Sequence, residues 1–196
     1  MPKTVLIIQG HPDPAPERFC RALSKAYREG AESIGAEVRT IDVATIDFPI
    51  LRTNADYQRG PDAAPDAIKR AAADIAWASH LLIIYPLWMG DMPALLKAFF
   101  EQTFRPGFAL SYGEGFPKPM FKGKSARVAV TMGMPRSVYR LVFGAHGVKA
   151  LEKSVLGFAG VKPIRESLFG MVEGQSPEKM AKRIDKFREA GAKDAA

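Results

Sequence analysis

The chain has 196 residues, 47% of them hydrophobic and 25% charged, with a net charge of +7. That balance fits one soluble domain with a sizeable core. The single cysteine, Cys20, excludes an intrachain disulfide framework. No apolar run approaches the roughly 18 to 20 residues that span a bilayer, and the apolar start is too short for a signal peptide. The cytoplasm is therefore the expected compartment. The basic residues are scattered and not interleaved with aromatics. They read as a solvated surface that also favours anionic cofactors, rather than as a nucleic-acid platform.

Short apolar strands alternate with helical stretches, the pattern of a parallel sheet covered on both faces. Strand 1 is predicted over Thr4 to Gln9, followed by a helix from about Glu17 to Ile34 that Gly35 ends. Strand 2 covers Glu37 to Asp42. The stretch Ala44 to Pro65 has no sustained period and reads as a long excursion with room for one helical turn. A helix over Pro65 to Ala78, strand 3 over His80 to Tyr85 and a helix over Pro93 to Phe104 come next. A second excursion, Pro106 to Lys124, is rich in Gly, Pro and aromatics, and loops of that length are usually functional. Strand 4 is Ala126 to Thr131. A helical region covers about Ser137 to Gly157, broken near Gly144 and Gly147. Strand 5 runs from about Lys162 to Phe169. The last helix opens at Ser176-Pro-Glu, an N-cap with Pro at N1, and disorder is expected from about residue 190.

Five such strands fit either common doubly wound order. The order 2-1-3-4-5 places a crevice between strands 1 and 3, lined by the loops after strands 1, 3 and 4. Those three loops carry the unusual sequence. The first, Gln9 to Cys20, leads into a helix N-terminus, where free amides and the helix dipole favour an anion. His11 and Arg18 can donate to phosphate oxygens, although His11 also reads as a turn residue. The second loop breaks strand 3 at Pro86 and carries Leu87, Trp88 and Met89 before Pro93 restarts a helix. Such a loop can wall a flat, partly polar ring, and Trp88 and Met89 read equally well as core residues. The third loop, Thr131-Met132-Gly133-Met134, precedes Tyr139 and His146, which share a face if the helix is continuous. His80 reads as structural. No metal-ligand spacing is present, and Cys20 has no legible catalytic partner.

These motifs resemble the flavodoxin-like NAD(P)H:quinone oxidoreductases, the DT-diaphorase group with its bacterial quinone-reductase and modulator-of-drug-activity relatives. The resemblance runs from Lys3 to about Lys186. It rests on Gly10-His11-Pro12 with Phe19-Cys-Arg-Ala-Leu23, on Tyr85-Pro-Leu-Trp88 with Met92-Pro-Ala-Leu-Leu-Lys97, on Gly107-Phe-Ala-Leu-Ser-Tyr112, on Val130-Thr-Met-Gly133 and on Gly144-Ala-His-Gly147. It implies a flavodoxin-like sheet of order 2-1-3-4-5, a homodimer with shared sites, and two-electron reduction of quinones by ping-pong hydride transfer from NAD(P)H. The flavin it implies is FAD, with FMN as the alternative. By position, His11, Arg18, Phe19 and Cys20 would hold the phosphate end. Pro86, Leu87, Trp88, Met89, Thr131, Met132, Gly133 and Met134 would line the ring. Tyr139 and His146 would act as the catalytic pair at the flavin edge. Met89, His146 and Tyr112, the last from the other subunit, would meet the substrate. Arg18 and Cys20 depart from the family's Ser and Asn, Met89 from its second Trp, Leu110 from a pocket tyrosine, and Met132 and Met134 from Thr and Gly. The alternative reading is a regulatory or ancillary flavoprotein subunit of a potassium efflux system.

Overall fold

Uninterrupted β-branched and leucine runs form the centre of the sheet, because only strands buried on both faces tolerate them. The computed structural model describes residues 3–113 and 115–196. Strands β1 (Thr4–Gln9), β2 (Glu37–Asp42), β3 (His80–Pro86), β6 (Ser125–Thr131) and β7 (Ile164–Phe169) pair in parallel in the order β2-β1-β3-β6-β7. This is the expected 2-1-3-4-5 order. The register sets Gln9 beside Ile84 and Pro86 beside Thr131, which brings the carboxyl ends of the three central strands level. The two remaining strands, β4 (Leu110–Ser111) and β5 (Lys118–Pro119), form a separate short antiparallel pair inside the second excursion.

Helices α1 (Phe19–Glu32) and α7 (Pro177–Ala195) cover one face, where Val5, Ile7, Leu23, Tyr27 and Phe187 are buried. The other face is covered by α3 (Asp66–Trp77), α4 (Ala94–Thr103), α5 (Arg136–Leu141) and α6 (His146–Ala150), around Leu6, Ile83, Phe99 and Val128. A π-helical stretch, Leu151–Gly157, continues α6. Helix α2 (Asn54–Gln58) is the helical turn within the first excursion. Each fully buried Leu, Ile or Phe contributes about 1.5–3 kcal/mol. None of the described helices is long and apolar enough to cross a membrane.

Helices α1 and α7 approach closely because two glycines face each other's backbones. A Cβ at Gly30 would fall 1.8 Å from the Arg188 carbonyl oxygen, and one at Gly191 would fall 2.1 Å from that of Tyr27. The expectation of disorder from about residue 190 is therefore corrected. Helix α7 runs to Ala195, and both Asp194 and Ala195 are fully buried. The Asp194 carboxylate accepts from the Tyr27 hydroxyl at 2.8 Å and from Arg127 Nε at 2.5 Å, and Arg165 adds a third bond. His80 completes this cluster. Because the Tyr27 hydroxyl donates to Asp194, its oxygen accepts from His80 Nε2 at 2.8 Å, and the other ring nitrogen meets Ser125 Oγ at 2.7 Å. His80 is structural, as expected from its place at the start of β3.

Candidate functional site

The crevice of a doubly wound sheet lies outside the carboxyl ends of its strands, where the strand order reverses. Hydrogen bonds beyond the strands fix all three loops there. Gly10 N donates to Ile84 O at 2.8 Å, Leu87 N to Thr131 O at 2.8 Å and Met132 N to Phe169 O at 2.9 Å.

In the first loop, Asp13 N donates to His11 Nδ1 at 3.0 Å. The neutral imidazole therefore carries its proton on Nε2. Burial lowers the pKa of His11, which keeps that neutral form dominant at neutral pH. Its ring lies edge-on to Trp88, with centroids 6.3 Å apart. Helix α1 starts at Phe19 without a side-chain cap, so its amides and dipole are presented to the crevice. Arg18 is exposed and ion-paired to Asp13, its Nε 2.7 Å from Oδ2. The Asp13 partnership was not legible in the sequence, where the only signal was an acid five positions before the arginine. Phe19 packs edge-to-face on Phe169 at 6.0 Å. Cys20 is buried with Sγ 3.2 Å from Thr131 Oγ1, and burial pushes its thiol up to about 11. It is a neutral thiol joining the first and third loops, and only its amide lies at the helix end.

The second loop is a tight turn. Trp88 N donates to Asp91 O at 2.9 Å and Asp91 N to Trp88 O at 3.0 Å. The central residues have φ of 49° at Met89 and 84° at Gly90, the left-handed pair of a type I′ turn. Asn or Gly normally occupies the first of these positions, so Met89 is strained. Trp88 is half exposed and Met89 fully exposed, so neither is a core residue. Pro86 is buried beneath them, and Leu87 packs on the core. Asp91 Oδ1 accepts from Met92 N at 2.7 Å and orders the entry into α4.

The third loop is anchored on the core at Met132. Met132 is buried in the core and both its peptide groups are engaged, the amide by Phe169 O and the carbonyl by Val172 N. It supports the loop and does not line it. Gly133 is exposed, and the half-buried Met134 receives Met171 N on its carbonyl oxygen at 3.1 Å. Tyr139 and His146 do not share a continuous helix, because α5 ends at Leu141 and Ala145 turns left-handed at φ 51°. The Tyr139 hydroxyl is buried. It donates to Gly90 O at 3.3 Å and accepts from Val148 N at 3.2 Å. His146 is exposed at the first turn of α6. Next to it, Gly147 lies against the second loop, where a Cβ would meet Gly90 O at 2.5 Å and Asp91 Cα at 2.7 Å.

Tyr112 is half exposed and lies elsewhere in the chain, on an apolar groove of about 490 Å³ with Tyr57, Phe100 and Phe158. None of that groove's lining residues comes from the three loops. The second loop thus presents a partly exposed indole at Trp88 and a fully exposed Met89, and the third loop carries the half-buried Met134. The first loop adds a helix N-terminus and the His11 Nε2 proton. That arrangement suits a flat ring bearing an anionic tail.

A family model described as flavodoxin-like fold matches residues 3–191. An FMN-dependent NADH:quinone oxidoreductase of Nitratidesulfovibrio vulgaris (strain DP4) is 28% identical over 181 residues, covering 86% of each chain. An NAD(P)H dehydrogenase (quinone) 1 of Cavia porcellus is 32% identical over 190 residues, covering 85% of this chain and 68% of that protein. The solved structure of the NAD(P)H:quinone oxidoreductase from Methanothermobacter marburgensis shares the fold with a TM-score of 0.78 at 21% identity, over 98% of both chains. The sheet order, the loop positions and the family match agree, and the chain belongs to the family of flavodoxin-like fold proteins.

Proposed function

We propose that this protein is a flavin-dependent NAD(P)H:quinone oxidoreductase that uses FMN. The observation that carries the proposal is the Trp88–Asp91 turn. It holds a half-exposed indole and a fully exposed Met89 at the sheet's crevice, against the α6 segment and within 6.3 Å of the His11 ring. FMN replaces the FAD that the resemblance implies, because the Nitratidesulfovibrio relative is named FMN-dependent. The oxidoreductase names of the relatives favour enzymatic turnover over an efflux-regulating role.

The residues present fit FMN. The uncapped α1 N-terminus, His11 Nε2–H and Arg18 form the donor set for a phosphate, with Phe19 and the Cys20 amide at the helix start. Arg18 must share its guanidinium between that phosphate and Asp13. Pro86, Leu87, Trp88, Met89, Thr131, Gly133 and Met134 form the surround of the ring. When bound, FMN supplies the two-electron chemistry that links a nicotinamide to a quinone.

The protein orients the reactants and manages charge. Trp88 and Met89 exclude water from the ring face. Tyr139 holds the Gly90 carbonyl and so fixes the turn; it acts as a positioning residue. His146, exposed at the start of α6, would offer a ring N–H to the bound cofactor. The acceptor lies over Met89 and His146. Leu141, Val142 and Phe143 form an exposed apolar run beside this edge. A second copy covers it, making a homodimer in which the partner supplies Tyr112, and the enzyme works in the cytoplasm. Mass spectrometry of the chromophore released on denaturation tests the cofactor: FMN supports the proposal, while FAD or a colourless protein contradicts it.

A further inference from the structure

Strand β7 ends the sheet, and its outer edge opens into a cleft of about 920 Å³ between α5 and α7. In a parallel ladder each residue turns both of its peptide groups to the same side. Ala126 N bonds to Pro163 O and Met132 N to Phe169 O, so the odd-numbered residues of β7 face β6. Glu166 and Leu168 therefore turn their N–H and C=O groups outward. Among the described residues no backbone hydrogen bond reaches those groups.

The walls of the cleft carry one sign of charge. Arg136 and Arg140 come from α5, and Arg183 and Lys186 from α7. The carboxylate lining the cleft is Glu166, which is paired to Arg140. Arg183 Nη1 is buried and has no hydrogen-bond partner. Edge strands are commonly guarded by charge, which prevents a second copy from pairing. Two copies meeting here would bring cationic walls face to face, so the charge pattern rejects self-pairing and selects an anionic strand.

We infer that the β7 edge is a docking site for an extended acidic peptide segment of a partner protein, added beside β7 as a sixth strand. Its backbone pairs with the outward groups of Glu166 and Leu168. Consecutive side chains of a strand point to opposite faces. A run of adjacent acidic residues thus reaches the α5 wall and the α7 wall in turn.

The test uses the full-length protein and a fluorescein-labelled peptide, Val-Glu-Glu-Val-Glu-Glu-Val, followed by fluorescence anisotropy. A second peptide of the same sequence is N-methylated at alternate peptide nitrogens, which keeps the charge and removes the strand donors. The expected result is saturable binding of the first peptide, with amide shifts at Glu166 and Leu168 in a heteronuclear NMR spectrum. The methylated peptide, and the exposed-site variant Arg136→Glu with Lys186→Glu, should each weaken binding by about tenfold or more. Equal binding of both peptides overturns the inference, as does binding of tripolyphosphate without the peptide. No binding at all leaves the cations as an edge guard alone and also overturns it.

Discussion

The Tyr139 hydroxyl ties the Trp88–Asp91 turn to helix α6, donating to Gly90 O at 3.3 Å while it accepts from Val148 N at 3.2 Å. The turn that presents Trp88 and Met89 is held by this bond. Tyr139→Phe leaves the Val148 amide and the Gly90 carbonyl without that partner. The expected loss is about 1–3 kcal/mol in urea unfolding, with weaker FMN binding in a fluorescence titration. Unchanged FMN affinity with slowed flavin reduction would instead assign Tyr139 a proton-donating role.

Gly147 makes the same junction possible by having no side chain. A Cβ there meets Gly90 O at 2.5 Å, whereas one at Gly113 meets nothing within 4 Å. Gly147→Ala should lower FMN affinity by about tenfold or more through displacement of the turn, and Gly113→Ala should leave it unchanged. Equal affinities of the two variants would separate the junction from cofactor binding.

Met89 has a left-handed backbone at φ 49° and is fully exposed. Asn tolerates that conformation better, so Met89→Asn should raise thermal stability by about 0.5–1 kcal/mol. The same change removes part of the apolar wall and should raise the quinone KM. A variant with improved stability and unaltered KM would take Met89 out of the acceptor site.

The His80 cluster predicts a pH dependence of stability. Burial holds the His80 pKa down to about 4, against the upward pull of Asp194, from an ordinary value of 6.5. Between those values the unfolded chain binds a proton that the folded chain does not. Stability therefore falls as pH drops from about 6.5 towards about 4, by roughly 3 kcal/mol in all. Asp194 titrates in a lower window. Burial alone would raise its pKa, but the bonds from Arg127 and Tyr27 outweigh that and hold it below 3.8. His11, also lowered, adds a smaller slope of the same sign. Thermal unfolding of His80→Gln should show most of the slope between pH 6.5 and 4 removed. A slope equal to that of the native chain would locate the titration elsewhere.

The sheet was legible because its strands are unbroken apolar runs bounded by turn residues, and the loop positions followed from strand order. Val5 to Ile8 and Leu81 to Ile84 announce themselves, and both are buried. The pair β4 and β5 did not, because two-residue strands carry no periodicity. The ordered C-terminus was missed for a different reason. Ala-Lys-Asp-Ala-Ala reads as a fraying tail, and Asp194 is held by Tyr27, Arg127 and Arg165, residues scattered far along the chain. At the crevice, the loops that carry His11 and Trp88 stand out in the local sequence. The Tyr139–Gly90 bond and the Arg18–Asp13 pair depend on side-chain directions that spacing does not encode.

The most direct measurement is an anaerobic two-step titration of the purified protein, following flavin absorbance. Addition of NADH or NADPH should bleach the flavin in stoichiometric amount, and addition of a benzoquinone should restore it with the hydroquinone formed in equal quantity. A flavin that either nicotinamide leaves oxidised, or that stays bleached in the presence of quinone, would contradict the oxidoreductase assignment.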